Sequence, residues 1–276
     1  MGGVERGDIM IDQGKKNLIG VLVDAVDYEG VLARIAHAAC QRRPLSVSAL
    51  AVHGVMTGYT DSDHRARLNH LDLVVPDGQP VRWALNLLYG TALPDRVYGP
   101  NLMLKSCEWA EREDVGIYLY GSTAAVLDRL GAALRARFPA LQICGMEPSR
   151  FRRLSADEPE LVIERIRAST AGIVFLGLGC PRQEVWAYEY RDALSMPILA
   201  VGAAFDFHAG LTEQAPRWMQ NRGLEWLFRL KTEPRRLWRR YLLLNPWFVT
   251  LVVAQWLRIR TFVPTNHWPT KDVFYG

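Results

Sequence analysis

The sequence predicts an α/β fold: a mostly parallel sheet covered by helices on both faces, followed by a helical appendage. Three observations carry this. Short apolar runs of strand length alternate with stretches of helical period. Several runs end in glycine-rich turns, as at GIVFLGLG (172–179) and PILAVGAA (197–204). After Leu211–Pro216 the glycines give way to Trp, Leu and Arg at helical spacing, so the appendage is placed at 211–276 and the core at 17–210.

Taken in order, residues 1–16 are polar and expected to be flexible. NLIGVLVDAV (17–26) reads as a strand and Tyr28 to Ala39 as a helix. LSVSALAV (45–52) is a second strand, followed by a polar helical stretch at 61–70. LDLVVP (71–76) is a short strand ending at Asp77-Gly78. Pro80 to Tyr89 is a helix, with proline tolerated at its start. VGIYLYGS (115–122) and LQICGM (141–146) are strands flanking an amphipathic helix at 123–137. Helices at 158–169 and 182–194 alternate with the two glycine-ended strands.

Composition bounds the function. The 276 residues can bury a large core, and a hydrophobic fraction of 49% excludes a disordered or multi-spanning chain. Net charge is +4, but Arg217–Tyr241 holds eight Arg/Lys against two Glu, a basic patch interleaved with Trp. The four cysteines, Cys40, Cys107, Cys144 and Cys180, form no CxxC and lie at no metal-ligand spacing from histidine; reduced, mostly buried thiols are expected. Residues 1–16 contain no apolar run of the signal-peptide kind. The longest apolar run, Leu242–Leu257, is broken by Asn245 and Pro246 and is short for a span of ~20 residues. It reads as an interfacial segment or as a buried core helix.

The motifs GLGCPRQEVW, VGAAFDFHAG, APRWMQNRGLEWLFRL and EPRRLWRRY, preceded by DLVVPDGQPVRWALN and DRVYGPNLM, resemble the WecG/TagA/CpsF glycosyltransferases (glycosyltransferase family 26) in the same order over roughly residues 40–245. VHGVMTG, DGQPVRWALN and DRVYGPNLM look most like its exopolysaccharide (GumM-like) branch. The resemblance implies a Rossmann-like core and inverting transfer from a UDP-sugar to a polyprenyl-diphosphate-linked sugar. UDP-glucose is the preferred donor, with UDP-N-acetylmannosamine or its uronic acid as the alternative. The reaction would take place at the cytoplasmic face of the plasma membrane, the enzyme being peripheral or monotopic and touching anionic lipid. No cofactor, metal or nucleic acid is expected, and the oligomeric state stays open.

Such a transfer needs a base for the attacking hydroxyl and positive charge or N–H groups for the leaving diphosphate. Asp77, at a strand end before Gly78, reads alone as an Asp-Gly turn; the family places its catalytic Asp there. Ser48 stands where many relatives carry Thr, and Leu50 where they carry Asn, so an amide contact to the sugar is missing. His53 reads as a second base or as a satisfied strand-end histidine. Arg96 reads equally as a phosphate ligand and as the partner of Asp95 in a surface pair; Gly99 and Asn101 are assigned to the same loop. Gly121, with Ser122 and Thr123, offers N–H groups to a phosphate or simply caps a helix. Gly177 and Gly179 let the backbone approach a nucleotide, and Gln183 can read a base edge or a sugar hydroxyl. Glu184 has a structural reason to open a helix. Asp206 ends the next strand and could hold a ribose.

Asp61-Ser62-Asp63 matches a metal-binding DxD but sits where an N-cap belongs, and it is rejected as a metal site. Arginines would then neutralise the diphosphate: Arg229, Arg236 and Arg240 share one helical face, Arg235 and Arg239 another. Trp218, Trp226, Trp238, Trp247 and Trp256 are the candidate interfacial anchors. Two other classes compete. A nucleotide-binding oxidoreductase would need GxGxxG after the first strand, where the chain reads DAVDYEG. A non-catalytic sensor would survive Asp77→Asn.

Overall fold

Side chains of successive strand residues go to opposite faces of a sheet, and here both faces are apolar. The computed structural model describes residues 10–150, 152, 158–264, 267–270 and 275. Six strands form one parallel sheet: β3 (Leu45–Leu50), β4 (Leu73–Pro76), β5 (Gly116–Gly121), β6 (Ile143–Glu147), β7 (Ala171–Gly177) and β8 (Pro197–Ala200), in the order β4-β3-β8-β7-β5-β6. Val174 and Leu176 of β7 enter one core and Ile173 and Phe175 the other.

The second core is covered by α1 (Tyr28–Cys40), α5 (Gly99–Arg112), α6 (Ala124–Arg137) and α9 (Ala204–His208). The first is covered by α2 (Val52–Thr60), α3 (Ser62–His70), α4 (Gln79–Tyr89), α7 (Glu158–Ala168) and α8 (Arg182–Tyr190). Asp61 caps α3 through bonds from the Asp63 and His64 N–H groups, the role its position predicts.

Four element assignments differ from the sequence reading. The strand expected at 17–26 is a hairpin of β1 (Asp12–Leu18) and β2 (Val21–Val26), so Asp12–Lys16 are in a strand rather than loose. Its turn holds Ile19 at φ 55 and Gly20 at φ 86; an isoleucine in the left-handed region hides a turn that Asn-Gly would announce. The turn is held by Gln255, whose Oε1 accepts from Ile19 N and whose Nε2 donates to Asn17 O. The hairpin meets β4 through a side chain: Asp24 Oδ2 accepts from Val74 N at 2.7 Å.

The strand read to residue 52 stops at Leu50, and Val52–Thr60 is helical. Its glycines and β-branched residues are weak helix formers. Gly58 is there for packing, since a Cβ on it would come within 2.9 Å of Val21 Cγ2. Gly99 and Asn101, assigned to a loop, open the long helix α5, and the strand read to 204 ends at Ala200.

After the sheet come α10 (Arg217–Asn221), α11 (Glu225–Thr232), α12 (Pro234–Arg239), a π-helical turn (Arg240–Leu244) and α13 (Asn245–Trp256). One face of α13 buries Phe248, Leu251 and Val252 in the first core; Trp247, Val249, Val253 and Trp256 face outward. Among the described residues no helix is long and apolar enough to cross a membrane.

Candidate active site

In an open parallel sheet the strand ends leave a crevice on the carboxyl side, and ligands bind there. Here β3, β4, β7 and β8 end around a cleft of about 450 Å³, roofed by α11. The volume is in the range of small-molecule sites.

Asp77 follows β4 directly and lines this cleft, half-buried. Its Oδ1 accepts from Gly99 N at 2.7 Å, so the carboxylate caps the N-terminus of α5. Burial pushes its pKa up to about 6, and Glu225 adds to the rise; the Arg96 charge, the Gly99 N–H and Arg229 act against it. Such a carboxylate is ionised at neutral pH yet more basic than an ordinary one, which suits a general base.

Arg96 is buried and does not pair with Asp95. The Asp95 carboxylate takes Arg96's own N–H and the Gln79 amide. The guanidinium instead meets Glu225 Oε2 at 2.6 Å and Gln220 Oε1 at 3.3 Å, and lies 4.1 Å from the Tyr98 ring centre. Tyr98 donates its hydroxyl to Glu225 Oε1 at 3.1 Å; burial, reinforced by Glu225, pushes its pKa up. Glu225 and Tyr98 were missed by the sequence reading. The available signal was one acid, Glu225, flanked by Arg222 and Arg229 in a basic stretch.

The β7–α8 turn forms another wall. A Cβ on Gly177 would strike the Phe205 ring, and Gly179 needs its φ of 75. Gln183 lines the cleft and donates to Glu184 Oε1 at 2.8 Å. Ser48, expected to touch substrate, is fully buried beneath the cleft and is near Glu184 Oε1 at 3.2 Å. Its hydroxyl meets Glu184 and does not line the cleft. Glu184 is fully buried, and its pKa is raised by burial against the hydrogen bonds it receives, from Gln183, Ser48 and Cys180 among others.

Of the other candidates, His53 and Asp206 line the cleft, but in the first turns of α2 and α9, not at strand ends. Arg229 lines it from α11, 5.5 Å from the Phe207 ring centre. Gly121 lies just outside it: a Cβ there would come within 2.7 Å of the Gly177 backbone, so it serves the contact between β5 and β7. Asn101 is exposed on α5 beside Tyr28, outside the cleft. Arg235 is exposed and likewise outside it. The side chains of Arg236, Arg239 and Arg240 lie outside the described residues. None of the four cysteines is in a disulfide, and of the four only Cys107 is buried. Cys180 has a histidine neighbour after all, His64 of α3, although 116 positions separate them in sequence.

An acid, an arginine and glycine turns gathered at the carboxyl edge of a parallel sheet define an α/β enzyme. The family model described as "Glycosyl transferase WecG/TagA/CpsF family" matches residues 16–261, and the chain belongs to that family: it is a glycosyltransferase. A relative from Bacillus spizizenii is 31% identical over 69% of this chain and 71% of its own length. One from Bacillus subtilis strain 168 is 27% identical over 77% and 79%. Both are named N-acetylglucosaminyldiphosphoundecaprenol N-acetyl-β-D-mannosaminyltransferase.

Proposed function

We propose that this protein transfers N-acetylmannosamine, with inversion, from its UDP derivative to a polyprenyl-diphosphate-linked sugar. The observation that carries the reading is Asp77: a carboxylate with raised proton affinity, fixed at the carboxyl edge of the sheet and facing a cleft that arginines also line. The acceptor hydroxyl loses its proton to Asp77 as its oxygen bonds to the anomeric carbon. The bond from that carbon to the diphosphate oxygen breaks, and the electron pair leaves with UDP. Arg229 and the Gly177–Gly179 turn, which line the cleft, would meet that charge.

The names of both relatives favour N-acetylmannosamine over the UDP-glucose that the exopolysaccharide resemblance suggests. The outward face of α13 and the segment after it, with Trp256, Leu257 and Ile259 exposed beside Arg258 and Arg260, suits the cytoplasmic surface of an anionic membrane carrying the acceptor.

The test is turnover of a panel of UDP-sugars on a short-chain polyprenyl-diphosphate acceptor bearing N-acetylglucosamine, with EDTA present. Transfer from UDP-N-acetylmannosamine, reduced about 10²–10⁴-fold in Asp77→Asn with UDP binding retained, supports the reading. Preferential transfer of glucose overturns the sugar, and transfer that survives the substitution overturns the base.

A further inference from the structure

Ordinary folded chains satisfy their buried polar atoms, so a cluster that does not needs an explanation. Under the cleft wall, α3 and the start of α8 bring together His64, Cys180 and Glu184, one ligand atom of each lying within 4.8 Å of the others. Both ring nitrogens of His64, 3% exposed, lack a hydrogen-bond partner, and so does Glu184 Oε2 on a fully buried side chain. An imidazole, a thiol and a carboxylate facing one another is the donor set of a borderline-soft divalent cation.

We propose that His64, Cys180 and Glu184 form a zinc-class cation site in the wall of the cleft. The site does not depend on the identity of the sugar.

Tetrahedral zinc, with bonds of about 2.0–2.3 Å, sets its ligand atoms about 3.3–3.6 Å apart, so the three groups close by at most about 1.5 Å. Three protein ligands leave a fourth position, and Cys180 and Glu184 both line the cleft, from which water reaches it. Binding transfers the Cys180 thiol proton to solvent. An outer shell is in place: Ser48 and Gln183 both hold Glu184 through Oε1, leaving Oε2 to the metal. Gln183 and Gly179 belong to the same turn and line the donor cleft, so an occupied site stiffens that wall and slows transfer. The cation is not the counter-charge for the diphosphate; it is an inhibitory ligand beside it. It departs from the expectation of a chain without a metal site, which rested on cysteine–histidine spacing, on Asp61 as an N-cap and on the family resemblance.

The experiment is titration of the chelator-stripped full chain with Zn²⁺ against a chromophoric chelator, repeated for Cys180→Ser, His64→Ala and Ser48→Ala. The expected result is one zinc per chain, weakened more than about 100-fold in the first two variants and about 10-fold in the third, the scale of an outer-shell change. Co²⁺ added to the wild-type protein should give a thiolate-to-cobalt charge-transfer band and intense tetrahedral visible bands, a readout that survives even if a variant misfolds. No stoichiometric zinc, zinc retained in both Cys180→Ser and His64→Ala, or a cobalt spectrum without the thiolate band would each overturn the site. Transfer activity that resists EDTA but falls on adding Zn²⁺ supports the inhibitory role; activity unchanged by a saturating equivalent overturns that role. Loss of activity in Asp77→Asn bears on the proposed reaction alone.

Discussion

Glu225→Gln tests whether the roof of the cleft sets the strength of the base. Glu225 holds Arg96 at 2.6 Å and stands close enough to Asp77 to raise its pKa. With Asp77 at about 6, about 91% of it is ionised at pH 7 and about 9% at pH 5, so kcat/KM should fall about tenfold between them. A carboxylate at 3.8 would lose only about 6% over that interval. Both diphosphate substrates of the proposed reaction are diesters and do not titrate there. Gln keeps the shape of Glu225 and an oxygen for Arg96 but removes the negative charge, and it leaves the Arg96 charge less compensated. Both changes favour ionised Asp77, so the acid limb moves to lower pH and the rate at pH 5 rises relative to that at pH 7. Burial remains, so the limb stays above an ordinary carboxylate's. The assay is kcat/KM from pH 4.5 to 8 for both proteins. A wild-type midpoint near 4, or a variant limb that stays put or moves up, refutes the reasoning.

Two further outcomes follow from buried and exposed groups elsewhere. Asp24, 1% exposed, has its pKa pushed up to about 6, chiefly by burial, from 3.8. The folded state therefore holds the proton more tightly, and stability is full below the unfolded value and lost as pH rises through about 6. Asp24→Asn cannot ionise and keeps an oxygen for Val74 N–H. Its stability relative to wild type should rise by about 2.5 kcal/mol between pH 3.8 and pH 7, read from urea unfolding. Trp256 is 52% exposed; about 80 Å² of indole at about 25 cal/mol per Å² gives roughly 2 kcal/mol if lipid covers it. Trp256→Ser should weaken binding to anionic vesicles about 30-fold, measured by sedimentation, with the wild-type affinity falling as salt rises.

Much of the sheet could be read directly because each strand of a doubly covered parallel sheet is a short apolar run, and glycine turns mark the ends. The elements that escaped carry contradictory local signals. Val52–Thr60 is rich in glycine and β-branched residues and is helical because Val55 and Met56 pack in the first core. Ile19 turns a hairpin because Gln255, 236 positions away, holds the turn. Asp77, Gly177 and Gly179 line the cleft because they sit at strand ends, and strand ends are legible in the sequence. Ser48 faces Glu184 rather than the cleft, and that facing in β3 depends on tertiary packing. The Arg96–Glu225 pair and the His64–Cys180–Glu184 cluster join residues 129 and up to 120 positions apart, a relation no local pattern encodes.

The bonds from Gln255 to the turn at Asn17–Ile19 also concern how the chain is made. At about 5–20 residues per second, a ribosome needs about 12–47 s to get from that turn to its clamp. Through that interval Leu18, Ile19 and Val21 lack the α13 side chains that share their core. Maturation of the nascent hairpin is thus tied to the emergence of the helix whose outer face is proposed to meet lipid, so that its apolar inner face has a docking place when it emerges.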